Sequence, residues 1–453
     1  MDTPICDFVS AYGKGNPLRL HMPGHKGQPV LGMESRDITE ISGADELFHP
    51  RGIIQKSEEN AASLFGAGKT VYSTEGSSLC IRAMVYLALL WGKERGRKPV
   101  ILAGRNAHKA FLSAAALIDI DVRWLYPEWE QSLITCEITG PGLEKQLADL
   151  PEKPVAVYVT SPDYLGHILN IAELSAVCRR HDVLLLVDNA HGAYLKFLRP
   201  DRHPMTLGAD LCCDSAHKTL PVLTGGAYLH ISSNAPALLR EQANRAMEMF
   251  ASSSPSYLIL QSLDRCNNWL VENVGRMTAF AERICEMKGK LETCGYTIIG
   301  EEPFKITVSA KEFGYTGDEL HDLLRQQNIE CEFSDSDFLT MMFTPALTET
   351  DLQRAEKALL SVPRKPKIDE KPPALPHPRR SLSIREAMLA LTEEIPVEQA
   401  ASRIFADAQV SCPPCIPIIA CGEELDEAAV KCFQYYKISS CRVVRFQKVE
   451  SGK

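Results

Sequence analysis

The sequence predicts an α/β protein built on a mainly parallel sheet covered on both faces. Three observations carry this expectation. Between residues 55 and 232, short β-branched apolar runs alternate with helical stretches. Each run is bounded by Gly, Pro or polar turns, the pattern of strands connected through helices. At 453 residues and 45% hydrophobic content, the chain can bury a large core spread over two or three domains.

Taken in order, residues 56–65 read as a helix with Ser57 as its cap, and 70–73 as a strand. The apolar stretch 79–91 reads as a helix, 100–103 as a strand, 107–118 as a helix and 122–126 as a strand. Further strands are expected over 155–160, 183–187, 210–213 and 227–231. Helices over 235–249 and 257–294 lead away from this sheet. Strands over 296–299, 305–308 and 329–333, with a helix over 316–326, suggest a small α+β domain. Residues 363–378, rich in Pro and Lys, read as a linker. A helix over 384–392, a Pro-rich stretch over 412–417 and a helix over 424–435 follow. The expected partition is an N-terminal arm over 1–45, a large domain over 46–265, a small domain over 266–362, a linker over 363–380 and a C-terminal module over 381–453.

Charge and cysteine usage exclude several classes. The net charge of −9 argues against a nucleic-acid partner, which would call for a basic face. The longest apolar stretch, 84–91, is too short to span a bilayer, so no membrane role is expected. The 15 cysteines are scattered and no charged-then-apolar leader opens the chain, which fits a reducing, cytoplasmic setting. Cys412-Pro413-Pro414-Cys415 lacks the second pair that a zinc site needs, and no metal is expected.

The chemistry concentrates at strand ends. Asp188 closes the apolar run 183–187, and Lys218 follows the next strand within Ser215-Ala216-His217-Lys218. An acid ending a buried strand, then a lysine after the next one, is what a pyridoxal phosphate enzyme needs. The lysine forms the Schiff base and the carboxylate keeps the pyridine nitrogen protonated. Apolar neighbours on both sides, Cys212-Cys213 and residues 220–223, favour a deprotonated, nucleophilic amine. Glu75-Gly76-Ser77-Ser78 opens the apolar helix, where free N–H groups and the helix dipole suit a phosphate, although an ordinary serine cap uses the same residues. His108 starts a helix at the carboxyl edge of the sheet, a place for a ring that stacks on a flat cofactor. His191 follows Asp188 closely enough to approach the same ligand, and His217 and Ser215 share the loop of Lys218.

These residues, with His21-Met22-Pro23-Gly24-His25-Lys26-Gly27 and Asn106-Ala107-His108-Lys109, together resemble the Orn/Lys/Arg decarboxylase family. The resemblance runs in order from about residue 5 to 445 and is closest to the short members without a receiver-like N-terminal domain. It implies an aminotransferase-like (fold-type I) pyridoxal phosphate domain with a small α+β domain and a C-terminal α+β module. It implies that Lys218 holds the cofactor, Asp188 pairs with the pyridine nitrogen and His108 stacks on the ring. Ser77, Ser78, Ser215 and His217 would bind the phosphate, and His191 would lie by cofactor and substrate. Ser253, within Ser252-Ser253-Ser254-Pro255, matches a segment that reaches the neighbouring subunit's phosphate, so a homodimer or larger homo-oligomer is implied. The chain departs from the family at Glu75, where Asn is usual, at Asn189, where Glu is common, and at Cys415, where Gly is usual.

The implied reaction is α-decarboxylation of lysine, arginine or ornithine, releasing CO₂ and a diamine or polyamine precursor. Two alternatives stand beside it: an aminotransferase or other amino-acid lyase of the same fold, and a catalytically silent binding relative. For the substrate's distal cation, the acids Glu332, Asp335 and Asp337 cluster after an expected strand. Glu332 alternates with Cys331 and Phe333 on that strand, and an ion pair there would discriminate against uncharged side chains.

Overall fold

A computed structural model describes residues 1–127, 132–408 and 415–445. The chain opens with helix α1 (Pro4–Lys14), which buries Ile5 and Val9, and continues through an irregular arm to α2 (Ile53–Phe65). The strands of the first sheet are β1 (Lys69–Ser73), β2 (Val100–Gly104), β3 (Asp121–Leu125), β4 (Ala156–Thr160), β5 (Leu184–Asp188), β6 (Leu211–Asp214) and β7 (Ala227–Ile231). Between them lie α3 (Gly76–Glu94), α4 (Lys109–Ile118), α5 (Gly140–Asp149), α6 (Ile171–Arg180), α7 (Pro204–Leu207) and α8 (Ala216–Thr219).

These strands form one seven-stranded sheet in the order β1-β7-β6-β5-β4-β2-β3. From β3 to β6 every pairing is parallel, while β7 runs antiparallel to both neighbours. Alternate residues feed two cores. Leu184 and Leu186 of β5 join the layer under α3 and α4, and Leu185 and Val187 join the layer under α6. This is why the central strands are apolar on both faces.

Helices α9 (Ala237–Glu248) and α10 (Tyr257–Thr293) follow. The second sheet contains β8 (Ile298–Ile299), β9 (Lys305–Ser309), β10 (Phe333–Ser334) and β11 (Phe338–Met342), in the antiparallel order β10-β11-β9-β8. Helices α11 (Gly317–Arg325) and α12 (Glu349–Leu360) accompany it. A third unit holds α13 (Ile384–Met388), β12 (Thr392–Pro396), α14 (Glu427–Tyr435) and β13 (Ser440–Val444), with β12 and β13 antiparallel. Between α12 and α13 no helix or strand occurs, yet the stretch is tied down: Ile368 N–H donates to the Lys311 carbonyl at 3.0 Å.

Four expectations need correction. Ser57 does not cap α2; the helix begins at Ile53, and the Asp45 carboxylate accepts the Gly52 and Ile54 N–H groups from outside. Ser57 is instead buried in the second turn and donates to Asp264 Oδ1 at 2.6 Å. The strand over 329–333 contracts to β10, because the chain straightens only where it pairs with β11. The helix expected over 384–392 stops at Met388, since Thr392 onward is claimed by pairing with β13. Helix α14 starts at Glu427, where the Asp426 carboxylate accepts the Ala429 N–H at 2.7 Å. Among the described residues, no helix is long and apolar enough to cross a membrane.

Candidate active site

A cleft of about 160 Å³ lies at the carboxyl ends of β4 and β5, where open α/β sheets bind ligands. Asp188 ends β5 and is buried. Its carboxylate accepts from the Tyr158 hydroxyl (3.0 Å), the Ala190 N–H (3.2 Å) and the Cys213 thiol (3.6 Å). Burial, then the neighbouring Asp188 carboxylate, push the Tyr158 hydroxyl well above its ordinary range, so it stays a donor. Asp188 is thus held rigidly by neutral donors and remains able to accept from a ligand in the cleft.

Lys218 sits in the four-residue helix α8 and lines the same cleft. Protein crowds its amine, and this desolvation lowers its proton affinity, with Asp188 opposing and Lys305 reinforcing the effect. Its Nζ lies 3.0 Å from His191 Nε2. Burial, followed by the charges of Lys218 and Lys305, holds the His191 imidazole well below its usual range. His108 caps α4: its Nδ1 accepts the Ala110 N–H at 3.1 Å. Burial brings His108 down to about 4 despite the attraction of Asp188. Both rings are therefore neutral at ordinary pH.

At the other end of the cleft, Gly76 opens α3 with φ of +70°, a left-handed turn that glycine adopts without cost. No side chain caps the helix; the Gly76 N–H donates to the Gly225 carbonyl at 2.7 Å, and Ser77 and Ser78 follow in the first turn. The Ser215 hydroxyl donates to Ser77 Oγ at 2.8 Å, joining α8 to this helix start. His217 Nδ1 contacts the Gly226 carbonyl at 3.0 Å, which fixes its ring beside them. The Thr160 hydroxyl is buried, lines the cleft and has no hydrogen-bond partner among the described residues.

This donor set suits one kind of guest. A helix start with hydroxyls suits a phosphate, a carboxylate at the strand end suits a ring N–H, the orphaned Thr160 suits a ring oxygen, and the amine suits an aldehyde. Pyridoxal 5'-phosphate carries all four groups, so the residues present fit it.

The remaining expected residues fall into place less directly. Glu332 is exposed at the cleft mouth and accepts the Tyr164 hydroxyl at 2.7 Å; the Tyr164 ring meets His191 edge-on at 5.2 Å. Asp335 accepts the N–H groups of Asp337 and Phe338, both at 2.7 Å, and so closes the β10–β11 turn. It lines a neighbouring cavity of about 180 Å³, and burial pushes it up to about 7. Asp337 is buried against Lys311 and the Tyr435 hydroxyl, away from the cleft. Ser252 to Ser254 are exposed, and the Ser252 N–H donates to the Glu75 carboxylate of the same chain at 2.7 Å.

Several lining residues escaped sequence reading. Thr160 and Tyr164 follow a strand end as Asp188 does, but neither type singles out a site. Behind the lining, Lys305 reaches His191 Nδ1 from the second sheet at 3.4 Å. Cys415 and Ile416 arrive from the third unit, which the buried Arg105–Glu423 ion pair (2.9 Å) docks against the first sheet. Cys412, Pro413 and Pro414 lie outside the described residues.

A second polar cluster is fully buried: His203, Asp214 and His230 bring ligand-type atoms within 4.8 Å of one another. His203 Nδ1 accepts the Met205 N–H, so its proton sits on Nε2 and points at Asp214. A metal would need that nitrogen bare. The cluster is a hydrogen-bonded bridge from β6 to β7 and α7.

The Orn/Lys/Arg decarboxylase major domain matches residues 3–296, and the Orn/Lys/Arg decarboxylase C-terminal domain matches residues 374–446. The chain is similar to arginine decarboxylase of Halalkalibacterium halodurans, 31% identical over 94% of this chain and 91% of that protein. It is 29% identical to arginine decarboxylase of Bacillus subtilis over 94% of this chain and 92% of that protein. The fold matches the crystal structure of the Francisella novicida lysine decarboxylase with a TM-score of 0.77 at 16% identity, covering 98% of this chain and 81% of that one. The architecture is therefore aminotransferase-like, with a mainly parallel central sheet.

Proposed function

The chain belongs to the Orn/Lys/Arg decarboxylase family and is a decarboxylase, and from that premise we propose that it removes the α-carboxylate of a basic amino acid with pyridoxal 5'-phosphate as cofactor. The observation that carries this reading is the convergence of Lys218 and Asp188 on one cleft beside an uncapped helix start. Lys218 would hold the cofactor through its amine, Asp188 its ring nitrogen, His108 its ring face and Thr160 its ring oxygen. Ser77, Ser78, Ser215 and His217 would hold its phosphate. When bound, the cofactor supplies the electron sink for the pair left on Cα as CO₂ departs.

The chain's own residues do the rest. Burial lowers the proton affinity of the Lys218 amine, which favours its nucleophilic form. His191 holds a neutral ring nitrogen 3.0 Å from that amine, within hydrogen-bond reach of it. Tyr158 and the Ala190 N–H keep the Asp188 carboxylate aimed into the cleft. Ile416 and Tyr164 narrow the entrance against water. Glu332, hydrogen-bonded to Tyr164 at the cleft, receives the substrate's distal cation, with Asp335 as a second acceptor in the adjoining cavity. A guanidinium can bind a carboxylate through two parallel hydrogen bonds, and the similarity to proteins named arginine decarboxylase supports arginine as the first of the three to test.

The assembly in this reading is a homodimer or larger homo-oligomer. Leu18, Leu20, Met22, Val30 and Leu31 of the N-terminal arm are exposed together, more apolar surface than a free arm usually shows water. A cytoplasmic location accords with the free thiols of the described cysteines. The test is product analysis on the purified protein with lysine, arginine and ornithine, paired with borohydride fixation of the cofactor. CO₂ and the matching amine are expected, with the label on Lys218. A 2-oxo acid product, or a label on another lysine, overturns the reading.

A further inference from the structure

Lys305 is a buried cation behind His191, a lining residue of the cleft, and it is the first residue of β9 rather than part of the first sheet. Its Nζ has three polar neighbours: the Glu302 carboxylate at 2.7 Å, the Asp163 carbonyl at 3.1 Å and His191 Nδ1 at 3.4 Å. The segment that carries it is locked in place. The Phe304 ring stacks on Tyr194 at 3.8 Å, the Glu302 N–H donates to the Gly166 carbonyl at 2.9 Å, and the Lys288 amine donates to the Glu302 carbonyl at 2.8 Å.

An ammonium group has three protons to give and no lone pair to accept with. Whatever meets it must accept. A carbonyl and a carboxylate do so in any state, but an imidazole nitrogen does so only without its proton. We infer that Lys305 is a positioning residue that fixes the tautomer of His191, leaving Nδ1 bare and placing the ring proton on Nε2, toward Lys218. The inference rests on the proposed use of Lys218 as the reacting amine. His191 then donates to the lone pair of a neutral Lys218 amine and opposes its protonation, because an ammonium there would meet an N–H rather than an acceptor. The second sheet thereby takes part in the site through one side chain, and a neutral residue of equal length at position 305 would leave the ring free to adopt either tautomer.

The surroundings contain the other groups that act on this pair. Lys218 faces Asp188 from β5, Cys213 from β6, Lys305 from β9 and Glu332 beside β10. His191 faces Lys218, Lys305, His108 and His217, with the Tyr164 ring against its edge.

Two measurements on the full-length, cofactor-free chain test the assignment without turnover. In the wild type, ¹⁵N resonances of labelled histidine should show His191 protonated at Nε2 and bare at Nδ1; a proton on Nδ1 overturns the inference. The second is the pH dependence of Lys218 acetylation, followed by peptide mass spectrometry. Lys305→Met should raise the midpoint by about one pH unit, because a nearby like charge is lost, and should mix the His191 tautomers. Lys305→Arg should restore both. A folded Lys305→Met protein with an unchanged midpoint and an unchanged tautomer also overturns it. Should Lys305→Met fail to fold, the wild-type tautomer decides alone. Because neither readout needs a substrate, a chain that decarboxylates no basic amino acid would fail the functional proposal while leaving this one standing, and the reverse holds equally.

Discussion

The side-chain amide of Asn189 donates to the Asp214 carboxylate at 2.6 Å, and both residues are fully buried. The resemblance to the family leads one to expect Glu at position 189, and this contact supplies a local reason for an amide there. Asp214 already takes the Nε2 protons of His203 and His230 on its other oxygen. Burial alone would raise the Asp214 carboxyl, yet the two histidines hold it well below the carboxylate range. A second acid at position 189 would face that carboxylate with no water between them.

An exchange of the pair tests this relationship. Asn189→Asp should destabilise the protein by about 3 kcal/mol, the usual scale for leaving a buried charge unpaired. Adding Asp214→Asn restores one amide and one carboxylate in contact and should recover more than half of the loss. Denaturation midpoints of the two single variants and the double variant check it, and simple additivity would sink the idea.

His108 makes stability depend on pH. Its ring falls to about 4 in the folded chain, mainly through burial, against about 6.5 when unfolded. Between these values the unfolded chain binds the extra proton, so stability rises with pH across that window. The contribution is fully present above about pH 6.5 and lost as pH falls toward 4, amounting to about 3 kcal/mol at most. His108→Asn keeps the cap on α4 but cannot titrate there. Its stability in the cofactor-free state should change less between pH 6.5 and 4 than the wild type does, and equal slopes would reject the assignment.

Glu332 should govern substrate preference. Glu332→Gln keeps the Tyr164 hydrogen bond but removes the charge, and kcat/KM for the preferred basic amino acid should fall about tenfold or more. An unchanged ratio of efficiencies among lysine, arginine and ornithine would return Glu332 to a surface role.

The serine segment decides how the active unit is built. Lys218→Ala protein mixed with a variant carrying Ala at 252, 253 and 254 should regain activity through hybrid dimers. Random pairing with one intact site per hybrid limits this to roughly a quarter of wild type. The Glu75–Ser252 contact within one chain makes the opposite result equally readable: no recovery, despite demonstrated subunit exchange, assigns the segment to its own chain's site.

Cys415 has φ of +60°, the left-handed region that explains the glycine usual at this position. A residue with a side chain there costs about 1 kcal/mol or more. Cys415→Gly should therefore raise the thermal midpoint. A lower midpoint would mean that the contacts of the buried thiol outweigh the strain.

The mainly parallel sheet and the meeting of Asp188 and Lys218 at one cleft were legible in the order of residues along the chain. Both are local signals: apolar runs closed by an acid or a turn, whose order along the chain already implies a shared sheet edge. The same holds for Ser77, Ser215 and His108, each at the end of a legible element. Ser57 shows where such reading fails. It has the chemistry of a cap, but burial against Tyr72 and Asp264 gave it another partner, and Asp45 took its place. The short β10 and β12 likewise depend on partners distant in sequence, β11 and β13. Packing between distant elements alone brings Lys305 from the second sheet to His191, carries Cys415 and Ile416 of the third unit into the cleft, and leaves Asp335 in the adjoining cavity. Their roles come from packing one sheet against another, and hydrophobic periodicity records which face of an element is buried without recording what it is buried against.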